Sequence, residues 1–261
     1  MIGHNPQMLL KGKRGLVLNV VNKNSIGWKI AQAATDHGAR VGVGAQNERM
    51  AEGVQKLLNE DPRFDMFMID FSVDEQFDAL KKAVAKKYKK IDFVVHSAAY
   101  APREALMGRF IDTQREAFQI ALDVSCYSLV KLCNALEPVL NDDASVMALS
   151  YLGSSRAVEN YNVMGVAKAA LESSVRYLTI DLGKRGIRVN ALSPGPINTV
   201  AARGVKDLSK MIDYVHERAP LKRSFAQEEV ADSAVYLMSD LSRAVTGQVI
   251  FIDNGYNIMG L

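Results

Sequence analysis

The sequence predicts an α/β protein in which one parallel sheet of seven strands carries helices on both faces. Short runs that are apolar throughout alternate with longer amphipathic segments, and strands without polar alternation are typical of a sheet buried on both sides. The predicted strands cover residues 15–20, 40–45, 66–70, 92–97, 145–150, 187–193 and 248–253. The predicted helices cover residues 25–38, 47–59, 75–88, 113–136, 161–184 and 228–239. Because the strands run almost to the last residue, we expect a single domain over residues 1–261.

Composition excludes several classes of protein. Hydrophobic residues make up 48% and charged residues 23%, which is typical of a globular chain, and the net charge of +3 is too small to indicate nucleic-acid or membrane binding. Cys126 and Cys133 lie seven residues apart on a predicted helix, about 10 Å along its axis, too far for a disulfide. Unpaired thiols suit a reducing compartment, and no apolar run is long enough for a signal peptide or a membrane span. We expect a soluble cytoplasmic protein.

The turn after the first strand is the first candidate ligand site. In a doubly wound, Rossmann-like sheet this turn is usually rich in glycine and places a pyrophosphate at the next helix N-terminus. Here residues 19–27 contain only Gly27 and do not form G-x-G-x-x-G. Asn19 tolerates positive φ almost as glycine does, and Ser25 with the N–H groups near Ile26 is a candidate phosphate site. From this segment alone, nucleotide binding and an ordinary loop remain equally open.

The ends of the second and third strands are candidate contacts for a nucleoside. Gln46 stands where a carboxylate would favour the free 2′-hydroxyl of NAD. A neutral amide leaves NAD and NADP open, and Arg49 is a candidate partner for a 2′-phosphate. Asp70 is either an acceptor for an adenine amino group or a cap for the next helix. We interpret the glycines at 42 and 44 as small strand residues and not as a phosphate loop.

Tyr161 and Lys168 are the candidate catalytic pair. Seven residues of helix place two side chains on the same face, about 10 Å apart along the axis. A neighbouring ammonium favours the phenolate and eases proton donation by a tyrosine, and a lysine at this distance can reach ribose hydroxyls. Tyr–Lys pairs also occur on solvated helix faces. The position of this pair after a strand ending in Ser150 and Tyr151 favours a catalytic site.

Several motifs together resemble one protein family. They are SYLG at 150–153, YNVMG-x-AKA at 161–169, RVNALSPGPI-x-T at 188–199, DNGY at 253–256 and HSAAYAPRE at 96–104. The chain resembles the short-chain dehydrogenase/reductase superfamily and, within it, the NADH-dependent bacterial enoyl-acyl-carrier-protein reductases. Ordinary superfamily members have Tyr-x-x-x-Lys and a serine thirteen residues before the tyrosine, where this chain has Gly165 and Ala148. It has instead Tyr151 ten residues before Tyr161 and Lys168 seven after, which is the enoyl reductase arrangement.

The resemblance implies a reaction. Hydride passes from NADH, with NADPH possible, to the β-carbon of a trans-2-enoyl thioester on acyl carrier protein, a step of fatty acid elongation. Tyr161 stabilises the enolate oxygen, Lys168 binds the nicotinamide ribose, and Tyr151 flanks the acyl chain. The resemblance also implies a homotetramer and no metal.

The resemblance also assigns binding residues. The cofactor-binding positions are Asn19, Ser25, Ile26, Gln46, Asp70, Phe71, Ser97, Ala98, Ala99, Lys168, Ile197, Thr199 and Ala201. The substrate-binding positions are Tyr100, Ala101, Tyr151, Met164, Leu208 and Met211. For Met164, Leu208 and Met211 the alternative is ordinary core packing. The chain departs from the family at Asn19, where the family has glycine, and at Pro194, where it has a small residue.

The segment at about 198–223 is a candidate substrate-binding lid. Its basic residues are Arg203, Lys206, Lys210, Arg218, Lys222 and Arg223, and its acidic residues are Asp207, Asp213 and Glu217. The excess of positive charge suits docking of an acidic carrier protein. A solvated amphipathic helix without a partner is the alternative.

Two other functions remain as alternatives. A carbonyl reductase or alcohol dehydrogenase of the same superfamily is disfavoured by Gly165 and Ala148, which replace the usual lysine and serine. A non-catalytic nucleotide-binding regulator is suggested by Asn19 in a turn with almost no glycine. Tyr161 and Lys168 argue against a regulator, because such a protein does not need both.

Overall fold

A computed structural model describes residues 8–61, 63–199 and 208–260. Its strands are β1 Arg14–Leu18, β2 Arg40–Ala45, β3 Phe64–Met68, β4 Ile91–His96, β5 Leu140–Leu149, β6 Arg188–Pro194 and β7 Val249–Ile252. They form one parallel sheet in the order β3-β2-β1-β4-β5-β6-β7, so strand order reverses between β1 and β4. The predicted doubly wound α/β fold is confirmed.

The helices lie between the strands, close to their predicted positions. They are α1 Ile26–Asp36, α2 Glu48–Glu60, α3 Asp74–Tyr88, α4 Arg103–Leu106, α5 Arg115–Leu122, α6 Ser128–Leu136, α7 Val163–Leu182, α8 Leu208–Arg218 and α9 Gln227–Met238. The single helix predicted over 113–136 is divided by a π-helical turn at Asp123–Tyr127. The sequence did not place the four-residue helix α4. Helix α8 lies within the segment predicted as a lid.

The central strands of the sheet are buried on both faces, which explains why they are largely apolar. In β1, Leu16 and Leu18 pack into a core with α3, α6 and α7, whereas Val17 packs into a second core with α1, α2 and α9. All three side chains are fully buried. A strand of this kind has no solvent-facing side, so it shows no alternation of polar and apolar residues.

The glycines of β2 serve packing. A Cβ at Gly42 would lie 2.7 Å from Cδ2 of Leu16 and closer still to the ring of Phe67. A Cβ at Gly44 would likewise lie 2.6 Å from Cδ2 of Leu18. These glycines therefore make room for large neighbours within the sheet, as the sequence interpretation proposed.

Two expectations from composition concern the cysteines and membrane spans. Cys126 and Cys133 are both free and buried, as their spacing predicted. Within the ranges that the structure describes, no helix has the length and apolar character needed to cross a membrane.

We predict that Gly42→Ala lowers the free energy of unfolding by about 1–3 kcal/mol, because the added methyl group overpacks a filled core. Thermal denaturation of the two proteins at matched concentration measures the change. Gly183→Ala is the control, since a Cβ at Gly183, just after α7, would meet no atom within 4 Å. Equal melting temperatures for wild type and Gly42→Ala would contradict the packing role.

Candidate active site

A cavity of about 480 Å³ opens at the carboxyl ends of the central strands, beside the reversal of strand order. Its lining includes these predicted residues: Ile26, Ser97, Ala99, Tyr100, Ala101, Tyr151, Tyr161, Met164, Lys168, Ile197, Thr199, Leu208 and Met211. Residues that the sequence analysis did not assign also line it: Arg103, Leu106, Leu149, Ser150, Pro194, Gly195 and Pro196. All of these except Leu106 and Leu149 lie within the sequence motifs quoted above. Membership of a motif is therefore the sequence feature that could have identified them.

Tyr161 is held against Tyr151 by close backbone packing. The two rings meet edge to face, with centroids 4.8 Å apart. A Cβ at Gly153 would lie 2.5 Å from the Tyr161 ring, and a Cβ at Gly165 would lie 2.7 Å from the Gly153 carbonyl oxygen. Residue 165 is the place of the lysine in ordinary superfamily members. Here the Gly153 carbonyl covers that place, so a lysine side chain has no room there.

Tyr161 does not lie on the helix that the spacing predicted. Helix α7 begins at Val163, after Asn162 with φ of 42°, and Tyr161 lies in the preceding turn, where its N–H donates to Val158 O at 3.1 Å. The assumption of two helical turns between Tyr161 and Lys168 is therefore wrong at its first residue. Both side chains nevertheless line the same cavity.

Lys168 is a buried cation fixed to the end of β5. Its side chain is 4% exposed, and Nζ donates to the carbonyl oxygen of Leu149 at 2.6 Å. Burial lowers the pKa of Lys168 to about 8, while the charge of Glu172 acts in the opposite direction. The ammonium is thus the charged form at neutral pH, although by a smaller margin than in an exposed lysine.

Both tyrosines remain protonated at neutral pH. Burial, with the Tyr256 phenol nearby, raises the pKa of Tyr151 to about 12. Burial and the neighbouring Tyr151 also raise the pKa of Tyr161 well above its usual value. The expectation that Lys168 would ease loss of the Tyr161 proton is wrong, because burial dominates. A protonated phenol can still donate a hydrogen bond to developing negative charge.

Asn19 takes the backbone conformation for which the family uses glycine. Its φ is 64°, in the left-handed region, as expected for an asparagine in this turn. Its Nδ2 donates to Ser97 O at 3.3 Å, and Ser97 Oγ donates to Leu18 O at 2.5 Å. The replacement therefore keeps the geometry of the turn and ties the end of β1 to the end of β4.

The N-terminus of α1 borders the cavity through Ile26. Ser25 occupies the N-cap position, but its hydroxyl donates to Asn22 O at 2.6 Å and accepts nothing from the helix. The first N–H groups of α1 therefore have no side-chain cap. Such groups, with the positive end of the helix dipole, suit an anionic phosphate.

Gln46 and Asp70 lie together outside the cavity, after β2 and β3. Gln46 Nε2 donates to Asp70 Oδ2 at 3.4 Å. The Asp70 carboxylate also accepts from N–H and Oγ of Ser72, at 2.9 and 2.6 Å. Burial raises the pKa of Asp70, but these hydrogen bonds outweigh it and lower the pKa overall. Asp70 thus caps the turn before α3. Its carboxylate can still accept a further hydrogen bond from a nucleoside.

The remaining predicted residues divide into three groups. Ala98 is buried and Phe71 packs against Phe77 and His96, so the Phe71 side chain belongs to the core. Met164 is buried and accepts a weak contact from Ser125 Oγ at 3.7 Å. Ala201, Arg203 and Lys206 lie outside the described residues.

Comparison with known proteins gives one consistent result. A family model described as enoyl-(acyl carrier protein) reductase matches residues 20–257. The chain is 44% identical to an NADH-dependent enoyl-acyl-carrier-protein reductase of Rhizobium meliloti, over 97% of this chain and 93% of the relative. It is 42% identical to an NADH-dependent counterpart in Bacillus cereus, over 97% and 99%.

Solved structures agree. The enoyl-acyl-carrier-protein reductase of Aquifex aeolicus superposes with a TM-score of 0.94 at 40% identity, covering 97% of this chain and 99% of that one. The Bacillus cereus enzyme, solved with NADP⁺ and an indole naphthyridinone, also gives 0.94, at 43% identity with the same coverage. These comparisons confirm the resemblance drawn from the motifs.

We predict that Asn19→Ala is less stable than Asn19→Gly by about 1–2 kcal/mol, because alanine is strained in the left-handed region and glycine is not. Chemical denaturation of both variants measures the difference. Asn19→Gly is the matched control, since both variants lose the hydrogen bond to Ser97 O. Equal stability would mean that the turn does not need positive φ.

Proposed function

The chain belongs to the enoyl-(acyl carrier protein) reductase family, and we propose that it uses NADH to reduce the trans-2 double bond of enoyl thioesters on acyl carrier protein. The observation that carries this proposal is the cavity in which Tyr151, Tyr161 and Lys168 meet at the reversal of strand order. Ligands of doubly wound sheets bind at this place.

The described residues fit a reduced nicotinamide dinucleotide. The uncapped N-terminus of α1 would hold the pyrophosphate, with Ser25 and Ile26 beside it. Lys168 and Thr199 line the cavity where the nicotinamide half would lie, and Gln46 with Asp70 would contact the adenosine half. When bound, the cofactor supplies the hydride. Residue 46 is an amide and not a carboxylate, so NADPH remains a second possible cofactor.

Tyr161 would stabilise the enolate oxygen that develops as the double bond is reduced. Its phenol is protonated at neutral pH and can donate a hydrogen bond to that oxygen. The packing of Gly153 and Gly165 fixes the ring before substrate arrives, so little reorganisation is needed during the reaction. Tyr151, edge to face with Tyr161, would border the acyl chain. Met164, Leu208 and Met211 would supply apolar walls.

Lys168 would bind the nicotinamide ribose and keep the local potential positive. Its ammonium lies in the cavity lining and is charged at neutral pH. A buried positive charge stabilises a developing enolate more strongly than the same charge in water. Its contact with Leu149 O sets the position of Nζ.

The two alternative functions lose their support. Ala148 provides no hydroxyl, and the Gly153 carbonyl leaves no room for a lysine at residue 165, so the apparatus of an ordinary carbonyl reductase is lacking. The non-catalytic regulator was suggested by Asn19 in place of a glycine. The φ of Asn19 is 64°, as a glycine would allow, so the substitution no longer argues for a regulator. Enoyl reduction is the function that remains.

A homotetramer in the cytoplasm is part of the proposal. Large apolar side chains on α5 to α7 and their connecting turn are exposed in the single chain: Ile120, Tyr127, Val130, Val166, Tyr177 and Ile180. A surface of this kind supports association with a second copy. Two unpaired cysteines support a reducing compartment. We propose that the single sheet and its helices act as one catalytic domain, with a lid at about 198–223.

We predict that Tyr161→Phe lowers kcat by about 10²-fold or more, the loss typical of removing one hydrogen-bond donor to an oxyanion. NADH oxidation with crotonyl or dodecenoyl thioesters measures it. Tyr236→Phe, a change at a partly exposed tyrosine of α9, is the control and should keep its activity. Unchanged turnover in Tyr161→Phe would remove the proposed role. Ketone reduction without enoyl reduction in wild type would overturn the function itself.

The lid is also the proposed docking surface for the acidic carrier. Lys210, Arg218 and Lys222 are exposed on or just after α8, and Lys210 lies next to two residues that line the cavity. Arg203 and Lys206, which precede α8 in the sequence, add two positive charges to the same segment. Charge complementarity of this kind chiefly raises association rates.

We predict that the double variant Arg203→Glu, Lys206→Glu raises KM for a carrier-bound enoyl substrate more than for the coenzyme A thioester. The difference should shrink at high salt, because exposed charges are screened. Lys86→Glu, on an exposed face of α3 away from the cavity, reverses a charge without touching the lid and is the control. Equal effects on both substrates would contradict carrier docking.

A further inference from the structure

Two consecutive turns of α7 are fastened to the end of β5. Lys168 Nζ donates to Leu149 O at 2.6 Å, and the hydroxyl of the next residue, Ser150, donates to Glu172 Oε1 at 2.5 Å. Lys168 and Glu172 are four residues apart, so their side chains neighbour each other on one helix face. The last residue of β5 and the residue after it thus hold a cation and an anion that neighbour each other on α7. The Glu172 carboxylate has no role in the chemistry described above.

Other titratable groups of the described part of the chain lie near Lys168. Cys126 belongs to the π-helical turn, and Tyr151 and Tyr161 line the same cavity as protonated phenols. A further neighbour is His96, at the end of β4, on which the charge of Lys168 acts. Among these groups Glu172 is the carboxylate.

His96 adds no positive charge. It is completely buried, and its Nε2 lies 2.7 Å from Ser128 Oγ. The Ser128 hydroxyl donates to Val124 O at 2.7 Å, so it accepts from His96, and the ring carries its proton on Nε2. Burial and the charge of Lys168 lower the pKa of His96 to about 3. The imidazole is therefore neutral at neutral pH.

Burial and Glu172 act on Lys168 in opposite directions. Burial lowers the pKa of Lys168 to about 8, and Glu172 raises it toward the usual value of a lysine. Without the carboxylate, burial would act with less opposition, and a larger part of Lys168 would be uncharged at neutral pH. A neutral amine would lose its electrostatic effect on an enolate.

We propose that Glu172, held in place by Ser150, is a positioning residue that keeps the Lys168 ammonium charged and directed at the end of β5. Its kinetic consequence rests on the proposed function, whereas the charge of Lys168 is tested independently of any reaction. Glu172 acts only through Lys168 and need not touch substrate or cofactor.

The first test measures the titration of Lys168 directly. Trace acetylation with acetic anhydride at a series of pH values, followed by peptide mass spectrometry, gives the midpoint at which the amine becomes reactive. Lys168 lines the cavity and is open to a small reagent. We expect the Glu172→Gln midpoint to fall by about one pH unit below wild type, as is typical when an opposite charge is removed. Glu172→Asp should restore most of it.

Two further variants complete the design. Ser150→Ala removes the hydrogen bond to Glu172 but keeps its carboxylate, so it should lower the Lys168 midpoint by less than Glu172→Gln does. This variant also tests the proposal if Glu172→Gln does not fold. Asp181→Asn removes a charge from the same helix, thirteen residues from Lys168 and about 20 Å along the axis, and should leave the midpoint unchanged. A Lys168 midpoint that is equal in wild type, Glu172→Gln and Ser150→Ala overturns the proposal.

The second test is the pH profile of kcat/KM. Stabilisation by the ammonium is present below the pKa of Lys168 and is lost as pH rises through it. The alkaline limb should therefore move to lower pH in Glu172→Gln. If the alkaline limb of Glu172→Gln stays at the wild-type pH while its acetylation midpoint moves, the kinetic role of Glu172 is overturned. If wild type reduces no enoyl thioester, the proposed function fails, and the acetylation midpoint still decides the role of Glu172.

Discussion

The contact between the Gly153 carbonyl and Gly165 determines how this active site is built. It brings the loop after β5 onto the first turn of α7 and presses the ring of Tyr161 against Tyr151. The same contact fills the space in which other members of the superfamily hold a lysine. The cation consequently stands nearly one helical turn further along α7, at Lys168. The backbone packing is thus consistent with the separation of the tyrosine and the lysine in the sequence, because it leaves no room for a lysine at residue 165.

Burial is the second condition on which the chemistry depends. The cavity raises the pKa values of Tyr151 and Tyr161 and lowers those of Lys168 and His96, in each case favouring the neutral form. A site that were only buried would lose the charge it needs. The carboxylate on α7 limits that loss, so the proposed mechanism combines hydrogen-bond donors that stay protonated with one cation that stays charged. The protonation state of each of these groups is explained by desolvation or by a named neighbouring group.

The sequence predicted the sheet well because its central strands are buried on both faces and are therefore largely apolar. It also predicted most of the cavity lining, since the motifs lie at strand ends that the parallel topology brings to one edge. It did not predict the π-helical turn, because a single inserted residue leaves the apolar spacing almost unchanged. It also misplaced Tyr161 on α7, because the positive φ of Asn162 interrupts the helix. The partnership of Ser150 and Glu172 joins residues far apart in the sequence, with no motif to mark it.

The asparagine in the first turn has a consequence for how the cofactor site forms. Glycine adopts left-handed backbone conformations without strain, but in the unfolded chain it also samples more conformations than any other residue. This conformational entropy is lost when the turn is ordered. Asn19 has a narrower range in the unfolded chain, and its amide adds a link to β4 when folded. The turn is thus ordered at a lower entropic cost than one built on glycine. At this proposed cofactor site, a nucleotide would spend less of its binding energy on ordering the turn.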